Sequence, residues 1–130
     1  MALRILLADD QIATRHIVRF NLENFGFEVL DATNGQHAWE ILQKEQVHLL
    51  VTDEAMPNLS GSELCIKIRQ TPWMANLPII MITGVVPSPS RESVKTLALS
   101  HLFTKPFSPR ELVDKICETL SAQTVGCGQT

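Results

Sequence analysis

Apolar residues in this chain follow two rhythms. Nearly unbroken runs over residues 3–8, 47–53 and 77–82 read as strands buried on both faces, as in a parallel sheet covered by helices. Residues 27–32 alternate enough for another strand, and 101–104 make a short fifth. Between these runs apolar positions recur at helical spacing over 12–25, 36–45, 62–70, 91–99 and from Ser108 onward. In 12–25, Ala13, Ile17 and Phe20 form one stripe and Val18, Leu22 and Phe25 another. A helix wedged between a sheet and a neighbouring helix is expected there, stopped by Gly26. The second helix carries Ala38, Trp39, Ile41 and Leu42 after an Asn34-Gly35 cap signal; the third buries Leu64, Cys65 and Ile68 and breaks at Thr71-Pro72. Ser108, Pro109 and Glu111 start the last helix with a capping box, and Leu112, Ile116 and Leu120 form its buried stripe. Pro87 and Pro89 stiffen the loop before the fourth helix. Strands alternating with helices select an α/β fold, with a parallel sheet, helices on both faces and right-handed crossovers.

Composition narrows the function classes. At 130 residues, one domain with a real core is expected, and 45% hydrophobic content excludes a disordered chain. The domain is expected to occupy residues 1–121, with 122–130 as a flexible tail. A net charge of −3 argues against nucleic acid as the partner. No apolar run approaches the roughly 18 residues that span a membrane, and the acidic start is unlike a signal peptide. Cys65, Cys117 and Cys127 form no C-x-x-C pair, so they suggest neither a disulfide framework nor a zinc site; a cytoplasmic location fits.

The chemistry-bearing residues stand at the ends of the strands, and that edge of an open α/β sheet is where sites are built. The first strand leads into Asp9 and Asp10, the central one into Asp53, the fourth into Thr83 and the fifth into Lys105. Each alone has an ordinary explanation, as a cap or a surface charge. Together, three carboxylates would repel unless a cation joined them. A hard divalent ion such as Mg²⁺ suits oxygen ligands, with a main-chain carbonyl near Ala55 as a further donor. A carboxylate nucleophile, a metal, a fixed ammonium and a hydroxyl are the parts needed to hold a phosphoryl group.

The stretches Leu-Leu-Ala-Asp-Asp (6–10), Leu-Val-Thr-Asp-Glu-Ala-Met-Pro (50–57) with Gly61, Ile-Ile-Met-Ile-Thr-Gly (79–84) and Thr-Lys-Pro-Phe (104–107) resemble the receiver domain of two-component response regulators of the chemotaxis-regulator kind. The spacings from Asp53 to Thr83 and from Thr83 to Lys105 fit the family layout, and the resemblance covers residues 3–121. It implies a doubly wound, flavodoxin-like five-stranded parallel sheet of order 2-1-3-4-5. It also implies that Asp53 takes a phosphoryl group from a sensor histidine kinase or histidine phosphotransfer protein. Asp9 and Asp10 would bind Mg²⁺ with Asp53 and the Ala55 carbonyl, Asp10 directly. Lys105 would pair with the phosphoryl oxygens and Thr83 would move to meet one. The signal would pass to a downstream protein, to an output domain outside this sequence, or to a phosphorylation-dependent homodimer. The chain would thus be a signalling module and not an enzyme.

Some positions depart from the family pattern. Leu102 stands where receivers usually carry an aromatic ring, and Leu99-Ser100 replaces the usual Gly-Ala. Output is therefore expected through backbone displacement of the 84–90 loop, read on the surface formed by the fourth helix, fifth strand and fifth helix, and Phe103 is expected to be core. Ala55 and Val85, two beyond Asp53 and Thr83, cannot hold a hydrolytic water, so a long-lived phosphorylated form is expected. A phosphatase of the haloacid-dehalogenase type would need a second acid where Ala55 stands. The other alternative is a receiver fold acting as an interaction or dimerisation module without phosphorylation.

Overall fold

Five parallel strands form one sheet: β1 (Arg4–Ala8), β2 (Glu28–Ala32), β3 (Leu49–Asp53), β4 (Ile79–Thr83) and β5 (His101–Thr104), in the order β2-β1-β3-β4-β5. They alternate with α1 (Ile12–Asn24), α2 (Gly35–Lys44), α3 (Gly61–Arg69), α4 (Arg91–Thr96) and α5 (Pro109–Gln123). The computed structural model describes residues 3–84 and 91–123. The expected stiff loop at 87–90, and Cys127, lie outside the described residues. Helix α5 runs two residues beyond 121, and of the expected tail 124–130 is not described.

The sheet divides its side chains by pleat. Ile5, Leu7, Val51 and Ile82 face Val18 and Leu22 of α1 and Leu112 and Ile116 of α5. Leu6, Ala8, Leu50 and Met81 face Ala38 and Leu42 of α2 and Leu64, Cys65 and Ile68 of α3. Every residue of β3 and β4 is buried, as their apolar runs require. Burial pushes the Cys65 thiol up to about 12, so it is an unreactive core group. Phe103 packs on the α1–α5 side as expected, while Leu102 packs on the other.

Two expectations need correction, and one element was not anticipated. Only the Val18–Leu22 stripe of α1 is buried; Ile17 and Phe20 are exposed (53% and 65%), and so is Phe25, because among the described residues no helix covers that side. The fourth helix ends at Thr96 and not at 99: Ala98 takes a left-handed conformation (φ 54°), and the Arg69 guanidinium donates to the Leu97 and Ala98 carbonyls. Beyond the break at Thr71, Pro72–Met74 forms a 3₁₀ turn that puts Met74 into the core.

Helix ends follow their capping residues. Gly26 ends α1 with φ 94°, a conformation that favours glycine. Asn34 caps α2 by accepting the His37 N–H at 2.8 Å. In α3, Ser60 and Glu63 complete a reciprocal capping box that the sequence reading did not identify. In α5, Ser108 Oγ accepts the Glu111 N–H at 3.3 Å.

Candidate functional site

Strand order reverses between β1 and β3, and a ligand crevice in a doubly wound sheet opens at such a point. The register places Ala8 beside Thr52, Asp53 beside Ile82 and Thr83 beside Thr104. The residues at or just after these positions therefore share one edge. Asp9, Asp53 and Thr83 are buried there, Asp10 is exposed at the rim, and Lys105 reaches across from the end of β5. The expected Asp9, Asp10, Asp53 and Lys105 side chains come together here, and Thr83 stands on the same edge at the end of β4.

Lys105 holds the centre of the site. Its Nζ lies 3.1 Å from Asp53 Oδ2, 3.3 Å from Gln11 Oε1 and 3.7 Å from Asp9 Oδ2. A cavity of about 310 Å³ opens above them, lined by Asp10, Gln11, Asp53, Ala55, Gly84 and Lys105. Asp9 is fixed from three directions. Its N–H donates to the Ala32 carbonyl, its Oδ1 accepts the Gln11 N–H at 2.9 Å, and its carbonyl accepts Arg15 Nη1 at 2.7 Å. Burial raises the Asp9 carboxyl above its ordinary 3.8; the Gln11 N–H opposes this, and the Asp53 charge adds to it.

A second set of contacts fixes the Asp53 end. Glu54 Oε1 accepts both the N–H and the hydroxyl of Ser62, each at 2.8 Å, at the start of α3. Gly61 donates its N–H to the Glu54 carbonyl at 3.0 Å. Any Cβ on Gly61 would collide with the Asp53 main-chain carbonyl, and one on Gly35 with the Leu59 carbonyl. Glycine is needed at both positions because two backbones meet.

A divalent cation fits this donor set. Asp9, Asp10 and Asp53 each offer an oxygen, all within 4.8 Å of one another. Asp53 Oδ1 is buried and has no hydrogen-bond partner among the described residues, which is costly unless a ligand supplies one. Ala55 lines the same cavity. Val85 lies outside the described residues.

Fold and site together define a doubly wound acidic-pocket domain built around a strand-end aspartate and an opposing lysine. The family model for the response regulator receiver domain matches residues 5–117. The chain belongs to that family, and receiver domains are signalling modules of two-component systems. It is 32% identical over 120 residues to a chemotaxis protein CheY homolog of Campylobacter jejuni, covering 91% of this chain and 92% of the relative. It is 36% identical over 113 residues to a probable transcriptional regulator, ycf27, of Cyanophora paradoxa, covering 87% of this chain and 46% of that protein. The chain thus spans about half the length of such curated regulators. Among solved structures, a CheY-like receiver domain protein of Methanospirillum hungatei superposes with a TM-score of 0.83 at 30% identity, covering 95% of this chain and 97% of that one.

The sequence reading missed Gln11, although it directly follows the acid pair. An uncharged amide in a loop gives no signal of its own; its place beside Lys105 emerges only once β1 and β5 are folded.

Proposed function

We propose that Asp53 is the phosphoacceptor of a signalling receiver, charged by a sensor histidine kinase or a histidine phosphotransfer protein. The observation that carries this is the Asp53 carboxylate itself: one oxygen is held by Lys105 at 3.1 Å and the other is buried with no partner among the described residues. In the transfer, an Asp53 carboxylate oxygen bonds to phosphorus as the phosphorus–nitrogen bond of the phosphohistidine breaks. The electron pair of that bond leaves with the imidazole nitrogen, which then takes up a proton. Lys105 follows the new negative charge onto the phosphoryl oxygens. Asp9, Asp10, Asp53 and the Ala55 carbonyl would hold Mg²⁺, which supplies neutralisation of the carboxylates and phosphoryl oxygens. Thr83 donates its hydroxyl to one of those oxygens.

A protein donor is favoured by what lies next to the site. Ile12, Ile17 and Phe20 are exposed on α1, and a cavity of about 540 Å³ beside Lys105 is lined by Ile17, Gly84, Pro106 and Phe107. A patch of this kind beside a reactive group suits a docking helix. The domain is a non-enzymatic switch, and its last described element, α5, reaches Gln123. It acts in the cytoplasm without nucleic-acid or membrane contact of its own, and among the described residues no helix is long and apolar enough to cross a membrane. Its output passes through α4, β5 and α5 to a downstream protein, an output domain or a second copy of the chain. One observation favours a second reading, a phosphorylation-independent interaction module: Leu102, packed on the α2–α3 side, has no ring to swing.

Beryllofluoride with Mg²⁺, a mimic of the phosphoryl group, tests the proposal. Amide shifts at Asp53, Thr83 and Lys105 are expected in the parent and not in Asp53→Asn. A parent that ignores the mimic at millimolar concentration supports the second reading.

A further inference from the structure

We infer that Gln11 is a positioning residue for Lys105, and that its side-chain oxygen sets the rate at which Asp53 is phosphorylated. This rests on the assignment of Asp53 as phosphoacceptor. An ammonium has three N–H donors, and three oxygens surround this one: Asp53 Oδ2, Gln11 Oε1 and Asp9 Oδ2, at 3.1, 3.3 and 3.7 Å. Two of them belong to buried carboxylates at the floor of the site. Gln11 Oε1 belongs to an exposed residue that lines the cavity where a phosphoryl group would arrive.

The amide oxygen is itself aimed. Thr14 Oγ1 donates to it at 3.3 Å from the first turn of α1, and the Gln11 main-chain N–H is fixed on Asp9 Oδ1. Gln11 thereby draws the ammonium toward the cavity side while its 3.1 Å contact with Asp53 Oδ2 is kept. Without that acceptor the two remaining partners are both anionic and both inward. The ammonium, already 3.1 Å from Asp53, then sits deeper between the two carboxylates, further neutralising the nucleophile and leaving the incoming phosphoryl oxygens with less of their counter-charge.

The side chain can be changed with little effect on the metal ligands, because Asp9 is bound by the main-chain N–H of Gln11 and not by its amide. Gln11→Met keeps the length and removes the acceptor. Gln11→Glu keeps an acceptor for Lys105. Thr14→Val removes the hydroxyl that orients it.

The test measures three quantities: the initial rate of phosphorylation by acetyl phosphate, the Mg²⁺ affinity of the unphosphorylated protein, and the Lys105 side-chain ammonium signals by NMR. Gln11→Met is expected to slow phosphorylation by about tenfold, the scale of one lost hydrogen bond to a charged group, with Mg²⁺ affinity unchanged within about twofold. Thr14→Val should act in the same direction more weakly, and add little on top of Gln11→Met. In a Lys105→Ala background Gln11→Met should have no further effect. The Lys105 ammonium signals should shift in Gln11→Met and stay near the parent's in Gln11→Glu. An unchanged rate, an equal effect with and without Lys105, or a matching loss of Mg²⁺ affinity overturns the proposal. A parent that takes no phosphoryl group overturns the assignment of Asp53 instead. The ammonium signals then still decide whether Gln11 holds Lys105.

Discussion

Gly61→Ala tests how tightly the Asp53 end of the central strand is fixed. An added Cβ would overlap the Asp53 carbonyl oxygen and lie 3.0 Å from Glu54 Cα and 3.1 Å from the Asp53 carbonyl carbon. These are main-chain atoms and cannot rotate aside as a side chain would. Restoring an ordinary separation of about 3.5 Å requires the strand end or the start of α3 to move by about 1 Å. Overpacking of this kind costs about 1–3 kcal/mol, or about 3–15 °C in melting temperature for a domain of this size. A displacement of about 1 Å at a reacting atom also costs about 10²-fold in rate. The assay pairs a thermal melt with the initial rate of phosphorylation by acetyl phosphate. Gly26→Ala is the control: its φ of 94° makes it strained by about 1–2 kcal/mol, but an added Cβ there meets nothing within 4 Å, and it stands at the opposite end of α1. It should lower the melting temperature and leave the rate alone. A Gly61→Ala protein that melts and reacts like the parent would refute the close-approach argument.

Other outcomes follow from the same geometry. Asp10→Asn, which removes one of the three clustered carboxylates, should weaken Mg²⁺ binding by about tenfold or more; titration identical to the parent's would remove Asp10 from the metal site. Ala55 has no group to hold a hydrolytic water, so Ala55→Asn should shorten the life of the phosphorylated form, by about tenfold if water positioning limits it; an unchanged half-life counts against that limit. His101, packed edge-on to Phe103, is held below its ordinary 6.5 by burial and then by the Lys115 cation, against the pull of Glu118. The unfolded chain then binds more protons than the folded one just below 6.5, so His101 reduces stability as pH falls through that window. NMR titration should give a midpoint below 6.5 that rises in Lys115→Met; a midpoint at or above 6.5 would contradict the environment described.

The strands were readable because burial on both faces leaves continuous apolar runs, as at Leu49–Val51 and Ile79–Ile82. The charged members of the site were readable for a related reason: an Asp or Lys closing such a run has no core role. What periodicity could not decide is what covers a stripe. Ile17 and Phe20 recur at helical spacing just as Val18 and Leu22 do, but only the latter pair meets the core; an apolar stripe facing solvent has the same pattern as one facing a helix. The early end of α4 depends on Arg69, 28 residues before Leu97, donating to the carbonyls there. Gln11 was missed, and Gly61 was noted only as part of the family pattern, because their roles are distances between segments that only folding brings together.

The central claim is that Asp53 accepts a phosphoryl group. Intact-mass measurement of the parent and of Asp53→Asn, each incubated with acetyl phosphate and Mg²⁺, tests it most directly. The parent should gain the mass of one phosphoryl group, lose it on treatment with hydroxylamine, and gain nothing when Mg²⁺ is chelated; Asp53→Asn should gain nothing under any condition. A parent that stays at its starting mass, or an Asp53→Asn protein that gains as much as the parent, contradicts the account.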